Sequence, residues 1–141
     1  MPTHSPQSPH STLVFVASGK YVQALDRASG RPVWQRKLPA SMWSSGFTTL
    51  MSQGDEVFVG RSGYVYCLDA ATGKSNWVYE TGNYINGAPA VADGLTAFGG
   101  CDGILHVVAL TNGTLVRSNE IGAPIAASAA LANGRAYFGH Y

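Results

Sequence analysis

Val14-Phe15-Val16-Ala17-Ser18-Gly19-Lys20-Tyr21-Val22-Gln23-Ala24-Leu25-Asp26 returns, without a gap, as Val57-Phe58-Val59-Gly60-Arg61-Ser62-Gly63-Tyr64-Val65-Tyr66-Cys67-Leu68-Asp69. Each copy runs on to a glycine and a tryptophan at matching distances, Gly30 and Trp34 in the first and Gly73 and Trp77 in the second. Ten positions between Val14 and Trp34 are identical in the two copies, so the pattern is an internal duplication. A third copy, Phe98-Gly99-Gly100-Cys101-Asp102-Gly103-Ile104-Leu105-His106-Val107-Val108, leads to Thr111-Asn112-Gly113. It is degenerate, with Ala109 in the place of Asp69 and Arg117 in the place of Trp77. A fourth is begun where Ala88-Pro89-Ala90-Val91-Ala92-Asp93-Gly94 recurs as Ser128-Ala129-Ala130-Leu131-Ala132-Asn133-Gly134, followed by Tyr137-Phe138-Gly139-His140-Tyr141.

A period of roughly 40 residues is shared by helical repeats and by propeller blades. The pattern inside the unit separates them. Each unit holds short segments rich in Val, Phe, Tyr and Leu, bounded by Asp-Gly, Asn-Gly or Thr-Gly, which are strand and turn signals. Tyr64 to Leu68 is too short for a helix and rich in strand formers. Asp93-Gly94 and Asn133-Gly134 read as two-residue hairpin turns, because Asn, Asp and Gly tolerate positive φ. Four strands per unit follow: an inner one from Ala88 to Ala92, then Leu95 to Gly99, Ile104 to Val108, and an outer one from Leu115 to Asn119. Small residues such as Ala88, Ala90, Ala92 and Ala126 to Ala130 suit the crowded inner end of a propeller, and Trp and Tyr the wider outer spaces.

The expected fold is therefore all-β, a propeller of four-stranded antiparallel blades in an incomplete ring of about three and a half blades. Residues 1–11 read as a disordered leader, with three Pro and no apolar run of the kind a signal peptide needs. Blade 1 is expected at about 12–38, blade 2 at about 46–80, blade 3 at about 86–120 and a partial blade 4 at about 125–141.

The segments Ala24-Leu25-Asp26-Arg27-Ala28-Ser29-Gly30-Arg31-Pro32-Val33-Trp34 and Cys67-Leu68-Asp69-Ala70-Ala71-Thr72-Gly73-Lys74-Ser75-Asn76-Trp77 resemble the pyrroloquinoline-quinone-like propeller repeat. The resemblance covers roughly residues 12 to 141. In that family the tryptophan docks between adjacent blades, which implies that Trp34 and Trp77 are blade-to-blade staples. Gly30, Gly73 and Gly113 would close the turn between third and fourth strands in a conformation that disfavours a Cβ. Asp26 and Asp69 would accept backbone hydrogen bonds across it. Arg117 cannot act as an indole does, so the third junction is expected to be weaker. The repeat occurs in outer-membrane assembly lipoproteins, in sensor ectodomains and in alcohol dehydrogenases. The resemblance implies a non-enzymatic scaffold or protein-interaction module similar to the assembly factors, in a periplasmic or extracellular setting; the alternative is a fragment of a quinoprotein dehydrogenase.

Chemistry is sparse in the chain. The dehydrogenases of the family carry an adjacent Cys-Cys pair and enclose their quinone in a full ring; no Cys-Cys pair occurs here, so no cofactor is expected. Cys67 and Cys101 lie at different repeat positions and read as free thiols. Cys101, Asp102 and His106 are close in sequence, but a metal site wants three or four converging ligands, and none is expected. No catalytic residue is assigned, and enzyme activity is unsupported. A net charge of +1, with charged residues at 12% against 45% hydrophobic, excludes a general field for nucleic acid and provides no membrane-spanning segment.

Binding is the more natural role. Loops before the inner strands gather at one end with those joining second and third strands, and Trp43, Arg61, Tyr84 and Asn86 on them form a candidate interaction surface. Open strand edges invite self-association, for example two copies completing a ring of about six blades. The repeat of the first strand at Tyr137 to Tyr141 competes with that arrangement. The protein partner is not specified by the sequence.

Overall fold

The computed structural model describes residues 12–39, 48–85, 87–125 and 128–139. Among them every regular element is a strand. The first sheet holds β1 (Leu13–Ser18), β2 (Tyr21–Asp26) and β3 (Pro32–Lys37), in that order. The second is β4 (Thr48–Gln53), β5 (Glu56–Arg61), β6 (Tyr64–Asp69) and β7 (Ser75–Glu80); the third is β8 (Ala90–Ala92), β9 (Leu95–Gly99), β10 (Ile104–Ala109) and β11 (Leu115–Glu120). A two-stranded ribbon, β12 (Ala130–Ala132) with β13 (Arg135–Tyr137), follows. Every pairing is antiparallel between consecutive strands. These are propeller blades: each sheet is a meander, and the sheets stack face to face along the chain.

The inner strand of the third blade begins at Ala90, two residues later than the alanine pattern indicates. Pro89, fully buried at its head, has no N–H for the ladder. The turn that follows has Asp93 at φ 52° and Gly94 at φ 75°, and Asn133 with Gly134 repeats it at 53° and 72°. Both residues of each pair are left-handed, as a tight hairpin turn requires.

One irregularity recurs in all three blades. The register between third and outer strands slips after Ala24, after Cys67 and after Val107, the residues facing Trp34, Trp77 and Arg117 respectively. A bulge bends and twists the strand locally, and it does so beside the residue that reaches towards the next blade.

The core lies between blades and not within one. Val22 and Leu38 of the first blade pack with Val57, Val59, Tyr66, Leu68 and Ala70 of the second, joined by Phe15 and Trp34. Phe58, Val65, Cys67 and Trp77 of the second pack with Ile85, Phe98 and Val108 of the third. Each boundary has its own set of apolar side chains, and each sheet buries both faces only when it has a neighbour on both sides. Blade 2 has two, and β5 and β6 are buried along most of their length. β11, on the far flank of blade 3, is exposed throughout.

Candidate functional site

The repeated hallmark residues form one joint, used twice. Asp26 Oδ1 accepts from the N–H groups of Ala28 and Ser29 at 2.9 and 2.8 Å, and Asp69 Oδ1 from those of Ala71 and Thr72 at 2.9 and 3.0 Å. Hydrogen bonds to its charged form, those of Ser29 first, hold the Asp26 carboxyl below the usual carboxylate range. The turns close with Gly30 and Gly73 N–H donating to the Asp26 and Asp69 carbonyls, both at 2.8 Å, and Gly113 to that of Ala109 at 2.9 Å. The third blade keeps the turn without the aspartate, because its closure is a backbone bond.

Into these turns come the indoles of the preceding blades. Trp34 Nε1–H donates to the Ala70 carbonyl at 2.9 Å, and Trp77 Nε1–H to that of Leu110 at 2.7 Å. A Cβ on Gly73 would stand 2.5 Å from Trp34 Cε3, and one on Gly113 would stand 2.7 Å from Trp77 Cδ2. The glycine is needed for its positive φ and again for the contact. The same phenylalanine position, Phe15 or Phe58, packs 6.1 Å from each indole. Gly30 has the same φ, 73°, but a Cβ there would meet nothing within 4 Å.

Of the residues placed by sequence on the loop face, Trp43 and Asn86 lie outside the described residues. Arg61 is engaged between blades: its guanidinium donates to the Gly19 carbonyl and to Thr48 Oγ1, both at 2.7 Å, which clamps the first turn of blade 1 to blade 2. Tyr84 is half-buried on the connector into blade 3, where its carbonyl accepts from Cys101 N–H at 2.8 Å. Arg61 therefore ties blade 2 back to blade 1, and Tyr84 ties the connector to the β9–β10 turn.

A polar chain that sequence reasoning did not find crosses the second joint. His106, buried, bonds Asp102 Oδ2 through Nε2 at 2.7 Å and the Tyr79 hydroxyl through Nδ1 at 2.9 Å. A carboxylate only accepts, so Nε2 carries the hydrogen towards Asp102, and the other ring nitrogen faces the Tyr79 hydroxyl. The imidazole stacks on Phe98 at 5.6 Å, and Tyr79 meets both edge-on at 5.4 Å. Burial, then the Asp102 charge, pushes the Tyr79 phenol up. The signal was available in the repeat: Tyr79 and His106 stand where Arg36 and Tyr66 stand at the first joint, so the pair changes together. Cys101 does not join this chain as a ligand, and among the described residues no three His, Cys, Asp or Glu converge on a metal position. The Cys67 thiol donates to Glu56 Oε2 at 2.7 Å.

Beyond blade 3 a cleft of about 500 Å³ opens between its outer face and the β12–β13 ribbon, lined by Leu105, Val107, Arg117, Leu131, Ala136 and Phe138. Arg117 stands there, exposed, in the tryptophan position.

Meander blades, indoles set into glycine turns of the next sheet, and bulges beside them define a β-propeller of the pyrroloquinoline-quinone-like repeat class. The sequence family described as outer membrane protein assembly factor BamB matches residues 18–139, and the chain belongs to that family. Among solved structures it is similar to BamB from Moraxella catarrhalis, at 23% identity and a TM-score of 0.76, over 92% of this chain and 40% of that one. The computationally designed Ika4 protein is matched at 17% identity and a TM-score of 0.80, over 92% of this chain and 79% of that one. A europium-containing methanol dehydrogenase is matched at 22% identity and a TM-score of 0.67, over 76% of this chain and 23% of that one. The chain thus spans about 40% of the length of the BamB it resembles. No curated protein sequence matches it.

Proposed function

We propose that the chain is a non-catalytic propeller scaffold or protein-interaction module whose exposed apolar side chains carry protein–protein contacts, in the manner of an outer-membrane assembly factor. The observation that carries this is where the exposed apolar side chains lie. Val14, Val16 and Val33 are 42, 40 and 53% exposed on the first blade, Val78 is 49% exposed on β7 of the second, and Leu115, Val116 and Tyr137 are 50, 57 and 53% exposed on β11 and the β12–β13 ribbon. Exposed apolar area gathered in patches marks association surfaces. The polar groups that could do chemistry, His106 with Asp102 and Tyr79, are tied into a blade joint, which supports a structural use for them.

Two measurements test the reading. A photo-crosslinking residue at Val33 or Val116 is expected to give discrete protein adducts in cells, and one at Thr72 is not. Titration with pyrroloquinoline quinone and calcium is expected to give no saturable binding. One-to-one binding of the quinone with alcohol-dependent dye reduction would overturn the proposal in favour of a dehydrogenase.

A further inference from the structure

Two Asn-Gly pairs lie wholly within the described residues, and the fold treats them differently. An asparagine before a glycine sets an electrophile beside a nucleophile: its own side-chain amide carbon and the next backbone nitrogen. The glycine has no side chain to hinder their approach. Asn112 and Asn133 are both exposed, so exposure does not separate them. Bonding does. Asn112 Oδ1 accepts from the Thr114 N–H at 3.1 Å and from its hydroxyl at 2.8 Å, and Gly113 N–H donates to the Ala109 carbonyl at 2.9 Å. The Trp77 indole also covers Gly113. Both reacting groups of this pair are held.

Asn133 and Gly134 form the turn between β12 and β13, at φ 53° and 72°, with Ala132 and Arg135 as the flanking pair. In a two-residue hairpin turn the flanking residues carry the closing bonds, and the turn's own groups face solvent. Neither the Asn133 side chain nor the Gly134 N–H is hydrogen-bonded among the described residues, and a Cβ on Gly134 would meet nothing within 4 Å. This openness belongs to the turn's place in a blade. Asp93-Gly94, its counterpart in blade 3, is exposed as well, although that blade has a sheet on either side.

We infer that Asn133 is a modification site, where the folded chain converts by itself to aspartate and isoaspartate while Asn112 is protected. The Gly134 nitrogen, losing its proton to solvent, bonds to Asn133 Cγ; the Cγ–Nδ2 bond breaks and ammonia leaves, closing a succinimide ring. Water then opens the ring at one of two carbonyls. Attack at Cγ gives aspartate on an unaltered backbone. Attack at the main-chain carbonyl gives isoaspartate, whose backbone runs through Cβ and is one carbon longer. The repeat shows that the first product fits, since Asp93 holds the same turn position at φ 52°. The second lengthens a turn that has room for two residues, and it breaks the pairing of Ala132 with Arg135.

The test holds the full chain folded at mildly alkaline pH beside a second sample kept in urea, and follows both asparagines by mass spectrometry of proteolytic peptides. In urea the two sites, each an asparagine before a glycine, should convert at similar rates. In the folded chain Asn133 should convert about tenfold or more ahead of Asn112, the weight of the hydrogen bonds that must open at the latter. The variant Asn133→Asp should unfold at the same urea concentration as the parent and keep its amide protection at Ala132 and Arg135. The isoaspartate fraction, separated by chromatography, should lose that protection. Equal conversion of both sites in the folded chain, or none at Asn133 while the urea sample converts, would overturn the inference. Lost protection in Asn133→Asp would overturn it too, by removing the difference between the two products. No partner or quinone enters these measurements, so this site and the scaffold reading fail separately.

Discussion

Trp77 and Gly113 are matched across the boundary between the second and third blades, the indole lying where a side chain on residue 113 would have to begin. The contact couples two requirements at one position, since Gly113 also holds φ at 72°. Gly94, at φ 75°, has the same backbone demand and no neighbour within 4 Å of a Cβ. Gly94→Ala should therefore cost about 1 kcal/mol, the left-handed penalty alone, and Gly113→Ala about 3 kcal/mol. Urea unfolding of the two variants separates backbone strain from the clash; equal costs would remove the second requirement.

The indole itself contributes by burial and by one hydrogen bond. Trp77→Ala should destabilise by about 3–5 kcal/mol. Trp77→Phe, which loses the bond to Leu110 and some area, should cost about 1–2 kcal/mol. Trp34 is less buried than Trp77, so its alanine variant should fall below that of Trp77 in the same thermal or urea measurement.

Cys67 gives a pH dependence of known sign. Burial, followed by the hydrogen bond and charge of Glu56, pushes its thiol far above the usual range. In the unfolded chain the thiol ionises near the ordinary value of about 8.5, while the folded state keeps its proton. The unfolded state then holds fewer protons, so stability is intact below that pH and falls as pH rises through and beyond it. Thermal unfolding from pH 7 to 10 should show this loss, reduced in Cys67→Ala. Thiol labelling at pH 8 should modify Cys101 first and Cys67 only on unfolding.

Thr96 is fully buried, and its hydroxyl has no partner among the described residues. Burying an unpaired hydroxyl is unfavourable, so Thr96→Val should stabilise by about 1 kcal/mol. A loss of stability instead would mean that the hydroxyl is hydrogen-bonded in solution.

The strands and the joints were legible in the sequence because both are periodic. Ten identities between Val14 and Trp34 fix one unit against the next, and the Asp, Gly and Trp positions carry a turn chemistry with few alternatives. What escaped notice depends on the junction between two different repeats. His106 stands with Cys101 and Asp102 in the sequence, and its partner Tyr79 comes into view only when the previous blade is brought within 2.9 Å of it. Arg61 reads as a surface cation for the same reason: Gly19 and Thr48 are distant in the chain and adjacent in space. The later start of the inner strand at Ala90 had a local cause, the proline before it, which composition alone did not weigh.

Because the apolar clusters straddle the boundaries between sheets, tension along the chain has no single yield point. Pulled from its ends, the molecule would shed the β12–β13 ribbon first, as neither of the described indoles, Trp34 and Trp77, is docked on it. The remaining sheets would then come away in sequence, each release set by the withdrawal of one tryptophan from its glycine turn. The force trace would be a short staircase whose steps count the joints.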